Sequence, residues 1–434
     1  MERKIEKLLL DWKNSKKRMP LIVNGARQVG KTYILKDFGN KNYDKVLHVN
    51  LESNFRAREA FESDLIPKNI IERLEAIYGE RIEKGRSLLI LDEIQSSERA
   101  LTSLKYFCED APEYHVAAAG SLLGVAINRE KFSFPVGKVD ELNLYPLDFE
   151  EFLWAMGKLQ LSQIIKQHYE SNEPLDEALH NEAISLLKKY YIIGGMPGVV
   201  KNYIENESLL EVVDIQNRIL NEYVSDMSKY ATGSTAVKIR ACYNSIPAQL
   251  AKENRKFQYK VVQRGGTASI FGESIEWLKN TGVVLNCQLI SQGNIPIPVY
   301  VDLSDFKLYM SDTGLLTMKS NMPHSMILSN VSTDIKFLGS ITENFVAQTL
   351  TANGFSLYYW KSDSKADVDF VVQKDEYVIP IEVKAGTHVK SKSLGVFNEK
   401  FQIQKSIRTS MRNFGLDNGI KSVPLYALFC LKPH

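Results

Sequence analysis

Cysteine and histidine are scarce in this chain, four and seven of 434 residues. The cysteines, at 108, 242, 287 and 430, form no Cys-x-x-Cys pair. That spacing excludes a zinc cluster and a disulfide framework, and it points to a reducing, cytoplasmic compartment. Long apolar runs are also missing. The longest weakly polar stretch, 116–127, is interrupted by Gly120, Ser121 and Gly124 and is too short to span a bilayer, so no membrane partner is expected. The opening Met1-Glu-Arg-Lys-Ile-Glu-Lys mixes both charges before three leucines, which reads as an amphipathic helix rather than a signal peptide. Neither sign of charge dominates: 54 lysines and arginines face 52 aspartates and glutamates, a net charge of +2, so any basic surface must be local. No internal repeat or low-complexity tract is visible. What is present is the 44% hydrophobic and 24% charged composition of a folded chain, long enough for two to four domains at roughly 100–200 residues each.

The first informative segment is a short apolar run, Leu21-Ile-Val-Asn24, leading into Gly25, Ala26, Arg27, Gln28, Val29, Gly30, Lys31 and Thr32, and then a helix-forming stretch to Phe38. This is GxxxxGK[ST] in a strand–loop–helix setting. The glycines let backbone N–H groups wrap phosphates at a helix N-terminus. Lys31 would reach the β- and γ-phosphates of ATP, and the Thr32 hydroxyl would bind Mg²⁺. A second apolar run, Ser87-Leu-Leu-Ile-Leu91, ends in Asp92-Glu93, with another strand, 45–50, between the two. Asp92 would hold the metal through water, and Glu93 would orient the attacking water. A third strand, 115–119, ends at Gly120-Ser121, although Ala117 to Ala119 also suit a helix. Ser121 is the candidate γ-phosphate sensor, with simple turn chemistry as the other reading. Arg27, Arg129 and Lys138 are the candidate cations for transition-state charge, and the sequence does not choose among them.

With these motifs the chain resembles the prokaryotic AAA-like P-loop ATPases that carry a C-terminal domain related to the PD-(D/E)XK nucleases. The resemblance runs through Gly25–Thr32, Val49-Asn-Leu-Glu52, Leu89-Ile-Leu-Asp-Glu-Ile-Gln95 and Leu144-Tyr-Pro-Leu-Asp-Phe-Glu-Glu-Phe152. It continues at Gly194-Gly-Met-Pro197, Asp312-Thr-Gly-Leu-Leu316 and Ile379-Pro-Ile-Glu-Val-Lys384, so it covers nearly the whole chain. It implies an ATPase. One departure is Gly137-Lys138 where many relatives have Gly-Arg, and a lysine lacks the bidentate fork an arginine-specific role would need.

Beyond Asp148 the pattern is helical to about Tyr230. Val212, Ile215, Ile219, Tyr223 and Met227 recur at three- or four-residue spacing as a core-facing stripe, and the resemblance implies a lid. Residues 231–235 read as a linker. A helix through Tyr243–Leu250 is followed by Lys252, Arg255, Lys256, Lys260 and Arg264 against one acid, Glu253. A second helix ending at Leu278 and a strand, 283–290, complete the order of a winged helix-turn-helix. Such a basic turn could grip DNA phosphates, or be a solvated face of a protein-docking module.

Near the C-terminus, Glu343 lies on an apolar-periodic helix, Asp369 precedes Phe370-Val-Val372, and Ile379-Pro-Ile-Glu382-Val-Lys384 forms a second strand. Period-two alternation puts Glu382 and Lys384 on one face. Glu343, Asp369 and Glu382 are the expected ligands of a second Mg²⁺, with Lys384 as the catalytic cation; a Glu382–Lys384 surface pair is the alternative. From Lys384 to Arg412 seven lysines or arginines face one acid, Glu399, a candidate phosphate track.

The expected fold is α/β: a P-loop NTPase parallel-sheet core of the AAA-like class over 1–150, a helical lid over 151–232, a winged-helix-like segment over 233–292 and a PD-(D/E)XK nuclease-like α/β domain over 293–434. The expected activity is Mg²⁺-dependent ATP hydrolysis coupled to DNA binding or processing. The alternative is a regulatory NTPase whose silent nuclease-like domain binds a protein partner. An oligomer is compatible with either.

Overall fold

The computed structural model describes residues 1–121, 134–231, 233–329, 336–362, 366–386 and 392–434. The chain divides into two compact units, one of residues 2–145 with 280–282, the other of Met1, 146–279 and 283–434. No helix among the described residues is long and apolar enough to cross a membrane.

The first unit is a five-stranded parallel sheet, β1 (Leu21–Asn24), β2 (Lys45–Asn50), β3 (Ser87–Asp92), β4 (His115–Ala119) and β5 (Asp140–Asn143), in the order β2-β3-β4-β1-β5. Helices α1 (Ile5–Asn14), α2 (Lys31–Asn42), α3 (Pro67–Tyr78) and α4 (Glu98–Asp110) accompany it. A parallel sheet is covered on both faces, and its inner strands β1, β3 and β4 are accordingly near-continuous apolar runs, whereas the edge strands β2 and β5 are mixed. Every residue of β3 and of β4 is buried. Ala117 to Ala119, which could have been helical by propensity, form a strand because they fill the sheet between β1 and β3. Tertiary context overrides a weak local preference here.

The second unit begins with the helices α5 (Phe149–Ala155), α6 (Leu159–Ser171), α7 (Glu177–Ile193), α8 (Pro197–Asn206), α9 (Leu209–Tyr230), α10 (Gly233–Leu250) and α11 (Ala268–Asn280). The stripe on α9 is core: Val212, Ile219, Tyr223 and Met227 are buried. The stretch 231–235, expected as a linker, already enters α10 at Gly233. Asp148 caps α5 by accepting from Glu151 N at 2.9 Å, while the Glu151 carboxylate accepts from Asp148 N, a reciprocal capping box. Asp148→Ala removes a buried cap and is expected to lower stability by about 1–2 kcal/mol in a urea titration, with Asp148→Asn recovering most of it.

An eight-stranded mixed sheet follows: β6 (Val284–Ile290), β7 (Val301–Met310), β8 (Leu357–Lys361), β9 (Asp367–Lys374), β10 (Tyr377–Val383), β11 (Ser406–Ser410), β12 (Gly415–Asp417) and β13 (Ile420–Pro424). Its order is β12-β13-β11-β10-β9-β8-β6-β7. Three further helices, α12 (Thr313–Lys319), α13 (Lys336–Ala352) and α14 (Lys392–Phe401), belong to this part of the chain. The strand at 284–290, expected as the end of the winged-helix-like segment, is an interior strand of this sheet, antiparallel to β7 and parallel to β8. The hairpin expected across 373–377 is present as the antiparallel pair β9–β10.

Candidate active site of the P-loop unit and a buried charge cluster

Because β1, β3 and β4 are parallel, their C-terminal ends lie along one edge of the sheet, where ligands of open α/β sheets bind. The loop 25–30 leaves β1 there and α2 starts at Lys31. Gly25 (φ +149°), Gln28 (φ +70°) and Gly30 (φ +94°) give the loop its turns. A Cβ on Gly25 would lie 2.2 Å from the Leu144 carbonyl oxygen, so only glycine fits. The Lys31 side chain is buried and donates to the carbonyl oxygens of Gly25 and Ala26, each at 2.8 Å, spanning the mouth of its own loop. Arg3 fixes the loop from behind, with Nη1 on Val29 O (3.3 Å) and Nη2 on Tyr145 O (2.7 Å).

Thr32 donates its hydroxyl to the buried Asp92 carboxylate, Oγ1 lying 3.0 Å from both oxygens. The hydroxyl and carboxylate expected to share a metal are therefore together, and a hard divalent cation such as Mg²⁺ suits such a pair. His48 on β2 adds a contact, Nε2 to Asp92 Oδ2 at 3.0 Å. Glu93 follows with φ +51°, a left-handed conformation that costs a non-glycine residue about 1 kcal/mol. Its carboxylate accepts from Gln95 Nε2 at 2.5 Å. Burial raises the Glu93 pKa, opposed by that bond and by Lys31.

Ser121 is buried just past β4, whose Ala119 pairs with Asp92 in register. Arg27 is half-buried in the loop. Lys138 is engaged with Glu109 at 2.9 Å, and Arg129 lies outside the described residues. Arg3 and His48 carried no signal in the sequence, because each acts through a partner that only the fold brings near; Gln95 lies within the Leu89–Gln95 motif, where nothing marks its bond to Glu93.

In the second unit, Asp369 and Glu382 lie on adjacent strands. Val383 N donates to Asp369 Oδ2 at 2.8 Å, and Lys384 Nζ reaches Glu382 Oε1 at 2.7 Å, as strand alternation requires. Glu343, by contrast, is already taken. It is buried on α13, its Oε2 pairs with Arg255 Nη1, and its Oε1 accepts from Lys307 Nζ (3.2 Å) and the Tyr309 hydroxyl. Burial would raise its pKa, but Lys307 and Arg255 outweigh that and hold it below the ordinary value. Burial pushes Asp369 up to about 7, with the Glu343 charge adding to it. Among the described residues no group of three or more His, Cys, Asp or Glu side chains is arranged to hold a metal ion. Of the expected Glu343–Asp369–Glu382 magnesium ligands, Glu343 is thus paired with the cations of Lys307 and Arg255, while Asp369 and Glu382 lie on neighbouring strands. Two of the five bases expected as a phosphate grip are also used internally, Arg255 on Glu343 and Lys256 on Asp305 at 3.0 Å. Lys252, Lys260 and Arg264 remain exposed, as do Lys392, Lys400, Lys405 and Arg412; Arg408 is buried.

Residues 17–153 match a family model described as an AAA domain. Residues 184–325 and 338–428 match two domains of unknown function, DUF8612 and DUF4143. No curated protein matches the chain. Among solved structures, a Walker-type ATPase of Pyrococcus abyssi is 14% identical, with 73% of this chain and 95% of that chain covered at a TM-score of 0.46. The RuvB Holliday junction branch migration motor of Thermotoga maritima is 13% identical, with 65% and 89% covered at 0.31. The Orc1 protein of Aeropyrum pernix in complex with DNA is 13% identical, with 75% and 93% covered at 0.28. At such values these likenesses assign no activity to this chain. The domain match and the P-loop strand order make residues 17–153 an AAA-type P-loop domain.

Proposed function

We propose that this protein is a Mg²⁺-dependent ATPase that couples ATP turnover to DNA binding. The observation that carries the first half is the Thr32–Asp92 contact at the mouth of the P-loop, with Glu93 next along the chain. In this reading the backbone N–H groups of 25–32 and the Lys31 ammonium bind the phosphates, exchanging the loop carbonyls for phosphate oxygens. Thr32 and Asp92 would hold Mg²⁺, which when bound supplies charge neutralisation at the β- and γ-phosphates. Glu93, held by Gln95, accepts a hydrogen bond from the attacking water and turns its lone pair toward phosphorus. Ser121, at the end of the strand between β1 and β3, is the γ-phosphate contact.

Support for the nucleic-acid half comes from the exposed Lys252, Lys260 and Arg264 and from Lys392, Lys400, Lys405 and Arg412. These bases are local, while the chain as a whole is nearly neutral. Phosphate release with and without duplex and single-stranded DNA, at several salt concentrations, is the test. Turnover is expected to rise with DNA, and the stimulation to fall steeply with salt. ATP turnover indifferent to DNA at low salt, together with no DNA binding, overturns this half and leaves the ATPase assignment standing.

One observation favours a second reading, in which the C-terminal α/β region is a catalytically silent, nuclease-like protein-docking module. Glu343 is neutralised by Lys307 and Arg255, so that carboxylate is spent on an internal ion pair rather than left to bind a metal for nuclease chemistry. A partner protein that raises ATP turnover, with Lys384→Ala and Glu382→Ala behaving as the parent, supports this reading.

A further inference from the structure

The turn that follows Asp92 contains a carboxamide with two unequal ends. Gln95 lies in the short 3-10 turn Ile94–Ser96, anchored by the fully buried Ile94 and by Ser96 N on Glu93 O at 2.9 Å. Its Nε2 donates to Glu93 at 2.5 Å. Its Oε1 is buried and has no hydrogen-bond partner among the described residues. That oxygen lies against the exit of β4: a Cβ built on Gly120 would meet Gln95 Oε1 at 2.5 Å and Ile94 Cγ2 at 3.5 Å. Gly120 has no positive φ to explain its identity. A side chain at 120 would instead have to displace the carboxamide packed over it. β3 and β4 are paired so that Asp92 faces Ala119, which places Glu93 and Gly120 at the same level of the sheet edge.

We propose that Gln95 is a positioning residue for ATP hydrolysis: wedged between Glu93 and Gly120, it fixes the Glu93 carboxylate in the orientation that takes the attacking water. The inference rests on the ATPase reading above. An amide is suited to this task because it is neutral. A lysine or arginine would hold the carboxylate as firmly but would neutralise the charge that polarises water. The left-handed backbone of Glu93 sets where its side chain starts, and the Gln95 amide sets where the carboxylate ends. A buried carbonyl left without a donor is costly. Here Oε1 is held against Gly120, so a shift of the β4 exit moves the amide and the carboxylate with it. The segment carrying Ser121 thus has a short physical route to the water-orienting group.

The experiment compares the full-length parent, Gln95→Met, Gly120→Ala, Glu93→Gln and the Glu93→Gln/Gln95→Met double variant. It reads nucleotide Kd by fluorescence titration, and kcat and KM by phosphate release. Gln95→Met keeps the side-chain length and loses the donor. Its kcat is expected to fall about ten- to a hundredfold while nucleotide Kd stays within about twofold. Gly120→Ala pushes the amide off Glu93 from the other side and should give the same split. The double variant should be no slower than Glu93→Gln alone, because both substitutions disable one device. Parent-like kcat in a folded Gln95→Met or Gly120→Ala overturns the inference. So does a double variant slowed by the product of the two effects, or a Kd that weakens in step with kcat. Where Gln95→Met fails to fold, Gly120→Ala decides alone. A parent that binds ATP but releases no phosphate overturns the ATPase reading and this inference together, an outcome distinct from an active parent with an inert Gln95→Met.

Discussion

Lys31→Ala is expected to show no nucleotide binding at concentrations that saturate the parent, whereas Glu93→Gln binds ATP normally and hydrolyses it roughly 10²–10⁴ times more slowly. The contrast follows from where the two side chains sit. The Lys31 ammonium is buried and bonded to the carbonyls of Gly25 and Ala26. It bridges the loop that must receive the phosphates, and it is the point charge aimed there. Without it the backbone nest faces a multiply charged anion with its own dipoles alone, which is too little to offset phosphate desolvation. Glu93 lies beyond the binding groups, at the end of β3, and its carboxylate is oriented by Gln95. Glutamine at 93 has the same shape but presents one neutral acceptor and cannot polarise water to the same degree. Equilibrium binding of a fluorescent ATP analogue and steady-state phosphate release separate the two effects. Parent-rate turnover by Glu93→Gln would remove Glu93 from the water-orienting role. Undiminished ATP affinity in Lys31→Ala would place the phosphates somewhere other than this loop.

The P-loop site was legible because its signals are contiguous. A buried strand, glycines at fixed spacing and a lysine–threonine pair lie within a dozen residues, and the acids come at the end of a second buried strand. The order β2-β3-β4-β1-β5 was not legible, since no residue pattern states which strand lies between which. β4 shows the reason well: alanines are poor strand formers, and only their place between β1 and β3 makes them a strand. The C-terminal hairpin and the shared face of Glu382 and Lys384 followed from turn chemistry and period-two alternation, both local. What sequence spacing missed is long-range pairing. Glu343 reads as a free helix carboxylate until Arg255 and Lys307, 88 and 36 residues earlier in the chain, are folded against it. The same pairing removes Arg255 from the basic turn to which its neighbours had assigned it. Charge counts along a sequence locate bases; they do not say which are already spent on a buried acid.

That pairing has a measurable consequence. Lys307→Met is expected to destabilise the protein by about 3–5 kcal/mol at pH 7, the usual cost of leaving one member of a buried ion pair without its partner. Lys307 and Glu343 are each 1% exposed, so solvent cannot compensate the abandoned carboxylate, and Arg255 alone must carry its charge. The lysine is itself held charged, its pKa raised by Glu343, Asp367 and Asp369 against the opposing effect of burial. The pH dependence has a definite sign. Glu343 titrates below its ordinary 4.5, so its contribution is present above that value and is lost as pH falls through the lower, folded value. Lys307 titrates above its ordinary 10.5, so its contribution is present below that value and is lost as pH rises through the higher, folded one. Between the two the pair is fully formed. Removing Lys307 takes away a charge that holds the Glu343 pKa down, so in Lys307→Met the buried carboxylate takes up a proton more readily than in the parent. The penalty should therefore shrink as urea titrations are carried from pH 7 to progressively lower pH. Lys307→Met/Glu343→Gln should recover a substantial part of the loss, because a neutral amide no longer needs a buried cation. Recovery would identify the cluster as a self-neutralised structural pair and strengthen the silent-domain reading. A Lys307→Met protein within about 1 kcal/mol of the parent would mean the carboxylate is satisfied in another way. Glu343 would then be free to return as a ligand of a divalent cation.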